Sequence, residues 1–467
     1  MELVRPPCTH ANVKQLLFGG SVQRPDGKSE KLVFEPTMLD GRPQLLREYR
    51  PWRKFRHIAR DAGADPEKAW VVAKVVYMSS MQQVLPLFQT SGEPFWLGNI
   101  PQLHEGLHRI DRALGGGEPV ALDPEGGILG DADQQRRFRI RTLMDEAAES
   151  SLIEGASGTR EQATDLLRSG RQPVARGERM IVNNYITMQR IKELLDQPLS
   201  VDMLCELQQM LTEGTLDNPG EAGRLRMPEE RVRVVDERDN SDLYIPPPAE
   251  SLPARLRSLC DFANRDHSRK DFIHPVVKAA ILHFMIGYEH PFCDGNGRTA
   301  RAVFYWFALK ERYPIFEFLS ISDRIRAGVA RYPQAYLDTE LEGGDLTHFV
   351  LYKLDIIEQA LDQFAIHLAN EEAKLKRSQA LGGVAAPLNL RQRILLDHAL
   401  RNPLAQYTVR SHANSNGINV KSARADLQRL VELKLLATTK NAQEVVYLPA
   451  PDLAKKLSKR SVKRKSS

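Results

Sequence analysis

Twelve consecutive residues, His290-Pro291-Phe292-Cys293-Asp294-Gly295-Asn296-Gly297-Arg298-Thr299-Ala300-Arg301, carry most of the readable chemistry of this chain. A loop that enters a helix through Gly295-Asn296-Gly297 presents several backbone N–H groups to one point. That is an anion-binding nest, reinforced by the positive end of the helix dipole. Arg298 and Arg301, three apart, share a helix face and can both reach a polyphosphate with bidentate geometry. Asp294 offers a hard oxygen beside the nest, suited to Mg²⁺ held jointly with phosphates. His290, at the entrance of the loop, can take a proton from an incoming hydroxyl near neutral pH. A lone Gly-x-Gly is more often a turn and a lone His is usually structural. In combination, the nest, the carboxylate, the two guanidinium groups and the base describe phosphoryl or nucleotidyl transfer. Cys293 and Thr299 read as spacers or packing residues.

Helices must flank such a loop. The apolar run Val276–Tyr288 predicts one before it, and Arg298–Leu309 predicts one after it. The pattern stays mainly helical from Gln134 to about Leu361. It is interrupted where Arg231–Asp236 alternates basic and apolar residues, Glu237–Asp242 is turn-like, and Leu243-Tyr244-Ile245 runs into Pro246-Pro247-Pro248, which predicts a β-hairpin. Residues 1–65 read as irregular, with short strand-like pieces such as Lys31–Phe34. A helix is expected from Pro66 through Trp70, Val71, Val75 and Met78 until Pro86. Leu103, Leu107, Ile110 and Leu114 predict another that stops at Gly115-Gly116-Gly117, and a Gly/Pro-rich connector reaches about Gly130. Lys374 to Pro387 reads as a linker. Leu388–Pro449 gives helix, short strand, two helices and a hairpin, the outline of a winged helix. The expectation is a mainly α protein: residues 1–120 of unread role, a helical domain over 121–380, a winged-helix-like domain over 388–450 and a tail over 451–467.

Composition narrows the class. At 467 residues with 42% hydrophobic and 27% charged residues, the chain is that of a folded globular protein, not a collagenous or disordered one. The start MELVRPPCTH has no apolar core of a secretory leader. The most apolar stretch, Ala279–Tyr288, is too short and contains His283, so no membrane segment is expected. Cys8, Cys205, Cys260 and Cys293 are scattered without metal or disulfide spacing, as reduced thiols in a cytoplasmic protein would be. Net charge is +5, yet Lys455, Lys456, Lys459, Arg460, Lys463, Arg464 and Lys465 are all in the tail, and the rest of the chain stands at −2. Only the tail invites a polyanion.

The twelve-residue segment resembles the Fic motif, H-x-F-x-[DE]-G-N-G-R-x-x-R, at every specified position. The resemblance extends over about Gln134–Leu361, through His274-Pro275, Gly223-x-x-Arg226 and the three prolines after the hairpin. It implies a helical Fic core with a β-hairpin flap that transfers AMP from ATP to a Ser, Thr or Tyr hydroxyl of a protein. His290 would be the general base and Asp294 would hold Mg²⁺. Gly295, Asn296 and Gly297 would cradle the α- and β-phosphates, Arg298 the outer phosphates and Arg301 the γ-phosphate. The flap, with Arg231, Val232, Arg233 and Val234, would dock the target as an added strand. Tyr332 would line the adenine pocket.

A second element sharpens the resemblance. Ser150 and Glu154 sit at i, i+4 near the end of a helix expected over about 134–155, with Gly155 at the stop. A carboxylate at a helix C-terminus faces the negative end of the dipole and calls for a positive partner. One Fic class carries [ST]-x-x-x-E-[GN] in this place, and its Glu pairs with the second Arg of the catalytic motif. The resemblance implies that Glu154 binds Arg301 and blocks placement of the γ-phosphate. A pair worth ~2–3 kcal/mol would lower basal activity about 30- to 150-fold.

In the winged-helix candidate, Lys421 and Arg424 begin the expected recognition helix, with Arg410 and His412 before it, but Asp426 and Glu432 share that helix. Two readings besides AMP transfer stay open. One is a nucleotide-sensing regulator contacting DNA through 388–467; the other is a net deadenylylase using Glu154. The target protein and homo-oligomerisation are not legible in the residues.

Overall fold

The computed structural model describes residues 4–10, 12–13, 22–23, 29–30, 42–113, 132–235, 242–380, 388–440 and 444–456. The strand-like Lys31–Phe34, the Gly115–Gly130 connector, the hairpin turn at 236–241, the glycines and proline of the linker and the tail past 456 lie outside the described residues.

The protein is mainly α. In chain order the elements are α1 (Trp52–Asp61), α2 (Pro66–Met78), β1 (Met81–Phe88), β2 (Pro94–Gly98), α3 (Pro101–Ala113), α4 (Ala132–Ile153), α5 (Arg160–Ser169), α6 (Arg176–Arg190) and α7 (Val201–Thr212). They continue with β3 (Val234–Val235), β4 (Asp242–Tyr244), α8 (Leu252–Asn264), α9 (Pro275–Glu289), α10 (Asn296–Lys310), α11 (Ile321–Ala327), α12 (Arg331–Leu341) and α13 (Thr347–Ala380). Last come α14 (Leu390–Arg401), α15 (Val409–Asn416), α16 (Val420–Glu432), β5 (Leu436–Lys440) and β6 (Val445–Pro449). Each strand pair is an antiparallel hairpin. No helix among the described residues is long and apolar enough to cross a membrane.

Two compact units divide the chain. The first comprises Met1–Ala113, Ile186–Phe316 and Ile321–Gln359. At its centre α9 and α10 are buried on nearly every face; α9 is apolar almost all round, whereas α10 also buries Asn296, Arg298 and Arg301. His274 caps α9 by accepting from the Val276 N–H at 3.3 Å, and Pro275 occupies the first turn, where its missing N–H costs nothing. Trp306 of α10 is fully buried and donates its indole N–H to the Leu194 carbonyl at 3.0 Å.

The N-terminal part departs from expectation twice. Where irregular chain was expected, α1 forms because Trp52, Phe55 and Ala59 fall on one face and bury against Trp70 and Val71 of α2. The helix α2 stops at Met78, and the apolar residues up to Pro86 belong to strand β1, which pairs with β2. Trp96 in β2 then exchanges backbone hydrogen bonds with Gly344 and Leu346, both at 2.9 Å.

A buried ionic cluster fastens His10, Tyr49 and Lys74 to the turn between α12 and α13. The Lys74 ammonium donates to Glu342 at 2.7 Å and to Asp345 at 3.3 Å. His348 lies 2.8 Å from Glu342, and His10 lies 3.1 Å from both Asp345 and Tyr49. Burial alone would raise the Asp345 carboxyl, but Lys74 and His348 hold it well below its ordinary value. Glu342, Asp345 and His348 also have metal-ligand spacing, yet the ammonium already sits among them.

The second unit comprises Leu114–Tyr185, Glu317–Ser320 and Ala360–Ser467. Its C-terminal part has the expected order of elements, with the short strand reduced to a bridge in which Tyr407 and Tyr447 exchange hydrogen bonds at 2.8 and 2.9 Å. Asn389 and Thr408 form capping boxes on α14 and α15. Asp426 faces inward, and burial would raise its carboxyl. Hydrogen bonds from His412, Arg391 and Asn389 bring it to about 2 instead. His412 is buried on that carboxylate at 3.3 Å, which removes it from the set of exposed contacts expected of this module.

Lys74→Met strands two carboxylates in the core. A loss of about 3–5 kcal/mol in urea unfolding is expected; a loss below about 1 kcal/mol would contradict the assignment.

Candidate functional site

The site is built where α9 ends and α10 begins, wholly within the first unit. His290 is the C-cap of α9, in the left-handed conformation at φ 46°, with its N–H on the Ile286 carbonyl at 3.0 Å. A non-glycine residue there stores about 1–3 kcal/mol and persists only when its surroundings impose it. They do so from two directions. His290 Nδ1 is 3.2 Å from the Gly287 carbonyl, which assigns the proton to Nδ1 and leaves Nε2 as the basic nitrogen. The His290 carbonyl accepts from Arg226 Nε at 2.8 Å, and the Arg226 N–H donates to Pro291 O at 2.9 Å. The same guanidinium also donates to Pro247 O and, at 3.5 Å, to Glu289 O. Arg226 therefore ties the chain beyond the flap to the residue before the loop.

Asn296 holds the loop shut. Its Oδ1 accepts from the Phe292 N–H at 2.9 Å, and its Nδ2 donates to the Phe292 carbonyl at 2.8 Å. The Asn296 side chain is thus spent inside the loop, which leaves its backbone N–H as the group that could face an anion. Gly295, at φ 87°, is the N-cap of α10. A Cβ there would lie 2.8 Å from Thr212 Cγ2, so α7 leaves room for glycine alone. A glycine cap has no side chain to occupy the first-turn N–H groups, which favours an anion at this helix end.

Gln208 of α7 is fully buried and joins two loops. Its Nε2 donates to the Asp294 carbonyl at 3.1 Å, and its Oε1 accepts from the Gly223 N–H at 2.6 Å. Asp294 is half-exposed, and its Oδ1 accepts from the Gly295 N–H at 2.5 Å. Arg298 and Arg301 are both buried on α10. Arg298 Nη1 donates to the Leu211 carbonyl at 2.8 Å, and its Nη2 is 3.5 Å from Asp294 Oδ1. Gly297 is in the first turn of α10.

The expected spacers behave as spacers. Thr299 is fully buried. Burial and the Glu230 carboxylate push the Cys293 thiol up to about 12, so it stays protonated and unreactive. Glu230 itself is held at about 2 by Arg224, whose guanidinium is 2.9 Å away.

The flap is described on either side of residues 236–241. Val234 pairs with Tyr244 and Val235 with Asp242, while Arg231, Val232 and Arg233 precede the strand. Tyr244 anchors the hairpin by donating to the Tyr288 carbonyl at 2.9 Å, two residues from His290. Tyr332 bonds His283 at 2.7 Å inside an aromatic cluster with Tyr336 and Phe349. Tyr336 packs so closely on Gly287 that a Cβ there would lie 2.3 Å from the phenol oxygen. Glu289 is buried and gripped by Arg255 at 2.6 and 2.9 Å. Gln208, Arg255 and Tyr336 carry no local sequence signal, because each acts through a partner far along the chain.

Ser150 and Glu154 lie in the second unit. The helix α4 ends at Ile153, Gly155 is left-handed at φ 85°, and the Ala156 N–H bonds the Ser151 carbonyl at 3.0 Å. Ser150 is buried, and Glu154 is half-buried in the turn.

Asn296→Ala leaves two buried backbone groups of Phe292 unsatisfied, at about 1–3 kcal/mol each. Amide exchange over Phe292–Gly297 should quicken by at least about tenfold; unchanged protection would contradict the clamp.

The Fic/DOC family model matches residues 198–308, a stretch that contains α7, the flap and the whole α9–α10 loop. Protein adenylyltransferase Fic of Nematostella vectensis is 29% identical over 150 residues, which is 32% of this chain and 30% of that protein. Protein adenylyltransferase Fic of Drosophila melanogaster is 31% identical over 121 residues, 26% of this chain and 23% of that protein. The match thus spans less than a third of the length of these curated relatives. A Fic family protein from Desulfovibrio desulfuricans G20, solved by crystallography, aligns over 75% of this chain and 97% of its own at 19% identity and a TM-score of 0.48. Residues 198–308 of the chain thus match the Fic/DOC family model, and the His290–Arg301 loop lies inside that match.

Proposed function

We propose that this protein is a protein adenylyltransferase that transfers AMP from ATP to a hydroxyl group of a protein. The observation that carries the reading is the α9–α10 loop, where the basic Nε2 of His290 stands beside a glycine-capped helix N-terminus and two buried arginines. The triphosphate binds at the α10 N-terminus against the backbone N–H groups of Gly295, Asn296 and Gly297, with Arg298 and Arg301 on the outer phosphates. The acceptor oxygen attacks the α-phosphorus while His290 Nε2 takes its proton. The bond from the α-phosphorus to the bridging oxygen breaks, and pyrophosphate leaves. A half-exposed carboxylate next to phosphate oxygens fits Mg²⁺, so Asp294 would hold that ion, which would neutralise charge on the phosphates. The flap presents the target segment as an added strand anchored through Tyr244.

Glu154 acts as a brake by competing with the γ-phosphate for Arg301. Its support is the left-handed Gly155 stop and the local cost of a carboxylate at a helix C-terminus. Wild type, Glu154→Gly and Glu154→Gly/His290→Ala, each incubated with Mg²⁺ and α-phosphate-labelled ATP, test base and brake together. Covalent label should rise about 30- to 150-fold in the single variant and vanish in the double variant. Equal labelling of wild type and Glu154→Gly would remove the brake.

A further inference from the structure

The second unit packs the winged-helix-like module and the helix that ends at Glu154 into one body. The α15 helix packs closely onto α4 and α5. Gly417, at φ 59°, caps α15 so close to α4 that a Cβ there would lie 2.1 Å from Ile140 Cδ1. At Gly170, the left-handed end of α5, a Cβ would lie 2.6 Å from Asn414 Nδ2, which donates to the Arg168 carbonyl at 3.1 Å. One guanidinium also joins α16 to α4: Arg391 bonds Asp426 at 2.8 Å and Asp133, in the first turn of α4, at 2.7 Å. The outer face of α16 presents Lys421, Arg424, Gln428 and Arg429 to solvent. Asp426 is turned inward, and Glu432 is paired with Arg429 at 3.1 Å.

We propose that this outer face of α16 binds duplex DNA, and that the packing of α15 and the Arg391 bridge pass its occupancy to α4 and so to the brake at Glu154. Lys421 and Arg424, three apart on one face, match a phosphate backbone, and Gln428 on the same stripe can reach base edges. Spanning about 33 Å at 1.5 Å per residue, α4 is a stiff lever between Asp133 and Glu154. The functional half of the inference rests on the adenylyltransferase reading; the binding and its transmission along α4 do not.

The test uses the full chain and a random-sequence duplex of about 20 base pairs. Fluorescence anisotropy should show binding that weakens with salt, and Lys421→Glu/Arg424→Glu should weaken it at least tenfold. Saturating duplex should change amide exchange over residues 144–155 and change self-labelling of wild type at least fivefold in either direction, with Glu154→Gly unaffected. Arg391→Gln should bind duplex as wild type does and lose both responses. Asp133→Asn, which keeps the Arg391–Asp426 bond, should do the same. Absence of duplex binding at low salt overturns the proposal, as does binding insensitive to the Lys421 and Arg424 changes. Binding without altered exchange over 144–155 also overturns it. Concentration-dependent self-association through this face, without DNA binding, would assign it to a second copy and overturn it too. If Glu154→Gly carries no label under any condition, the enzyme reading falls, while anisotropy and exchange still decide whether the face binds DNA and signals to α4.

Discussion

One asparagine fixes the geometry on which the site depends. By bonding both backbone groups of Phe292, Asn296 folds the α9–α10 loop onto itself. The chain thereby turns from one buried helix into another within a few residues. On one side of that closure His290 takes a left-handed conformation, held by the Gly287 carbonyl and Arg226, and on the other Gly295 opens the N-terminus of α10 against α7. In the proposed reaction the base and the anion site are thereby brought together by backbone geometry.

Around the loop stands a set of side chains that brace it. Gln208 reaches the Asp294 carbonyl, Arg226 the carbonyls of Glu289 and His290, and Arg255 the Glu289 carboxylate. Each is charged or strongly polar and largely withdrawn from water, so losing one would strand a buried partner. The same principle operates at a distance in the Lys74–Glu342–Asp345–His348 cluster, which fastens the N-terminal helices to the α12–α13 turn.

Much of this was legible in the residues. The run from His290 to Arg301 identified the loop and its flanking helices, because local spacing dictates both. The Gly155 stop and the order of elements after Leu388 were readable for the same reason. What escaped was set by long-range packing. The α1 helix formed from an apolar face of three residues, and the segment up to Pro86 became a strand because β2 lay ready to pair with it. Asp426 looked like an exposed acid on a DNA-reading helix, yet its partners Arg391, Asn389 and His412 are scattered in sequence and turn it inward. The bonds of the Asn296 side chain to both backbone groups of Phe292 need the folded loop to be seen and carry no signal in the spacing.

The central claim is that this loop directs attack to the α-phosphorus of ATP. The most direct measurement incubates Glu154→Gly protein with Mg²⁺ and ATP labelled at either the α- or the γ-phosphate, and follows covalent label on protein. The account predicts transfer from the α-labelled nucleotide alone, with labelled pyrophosphate released from the γ-labelled one. Protein labelled from the γ-phosphate would contradict it and make the loop a phosphoryl-transfer site.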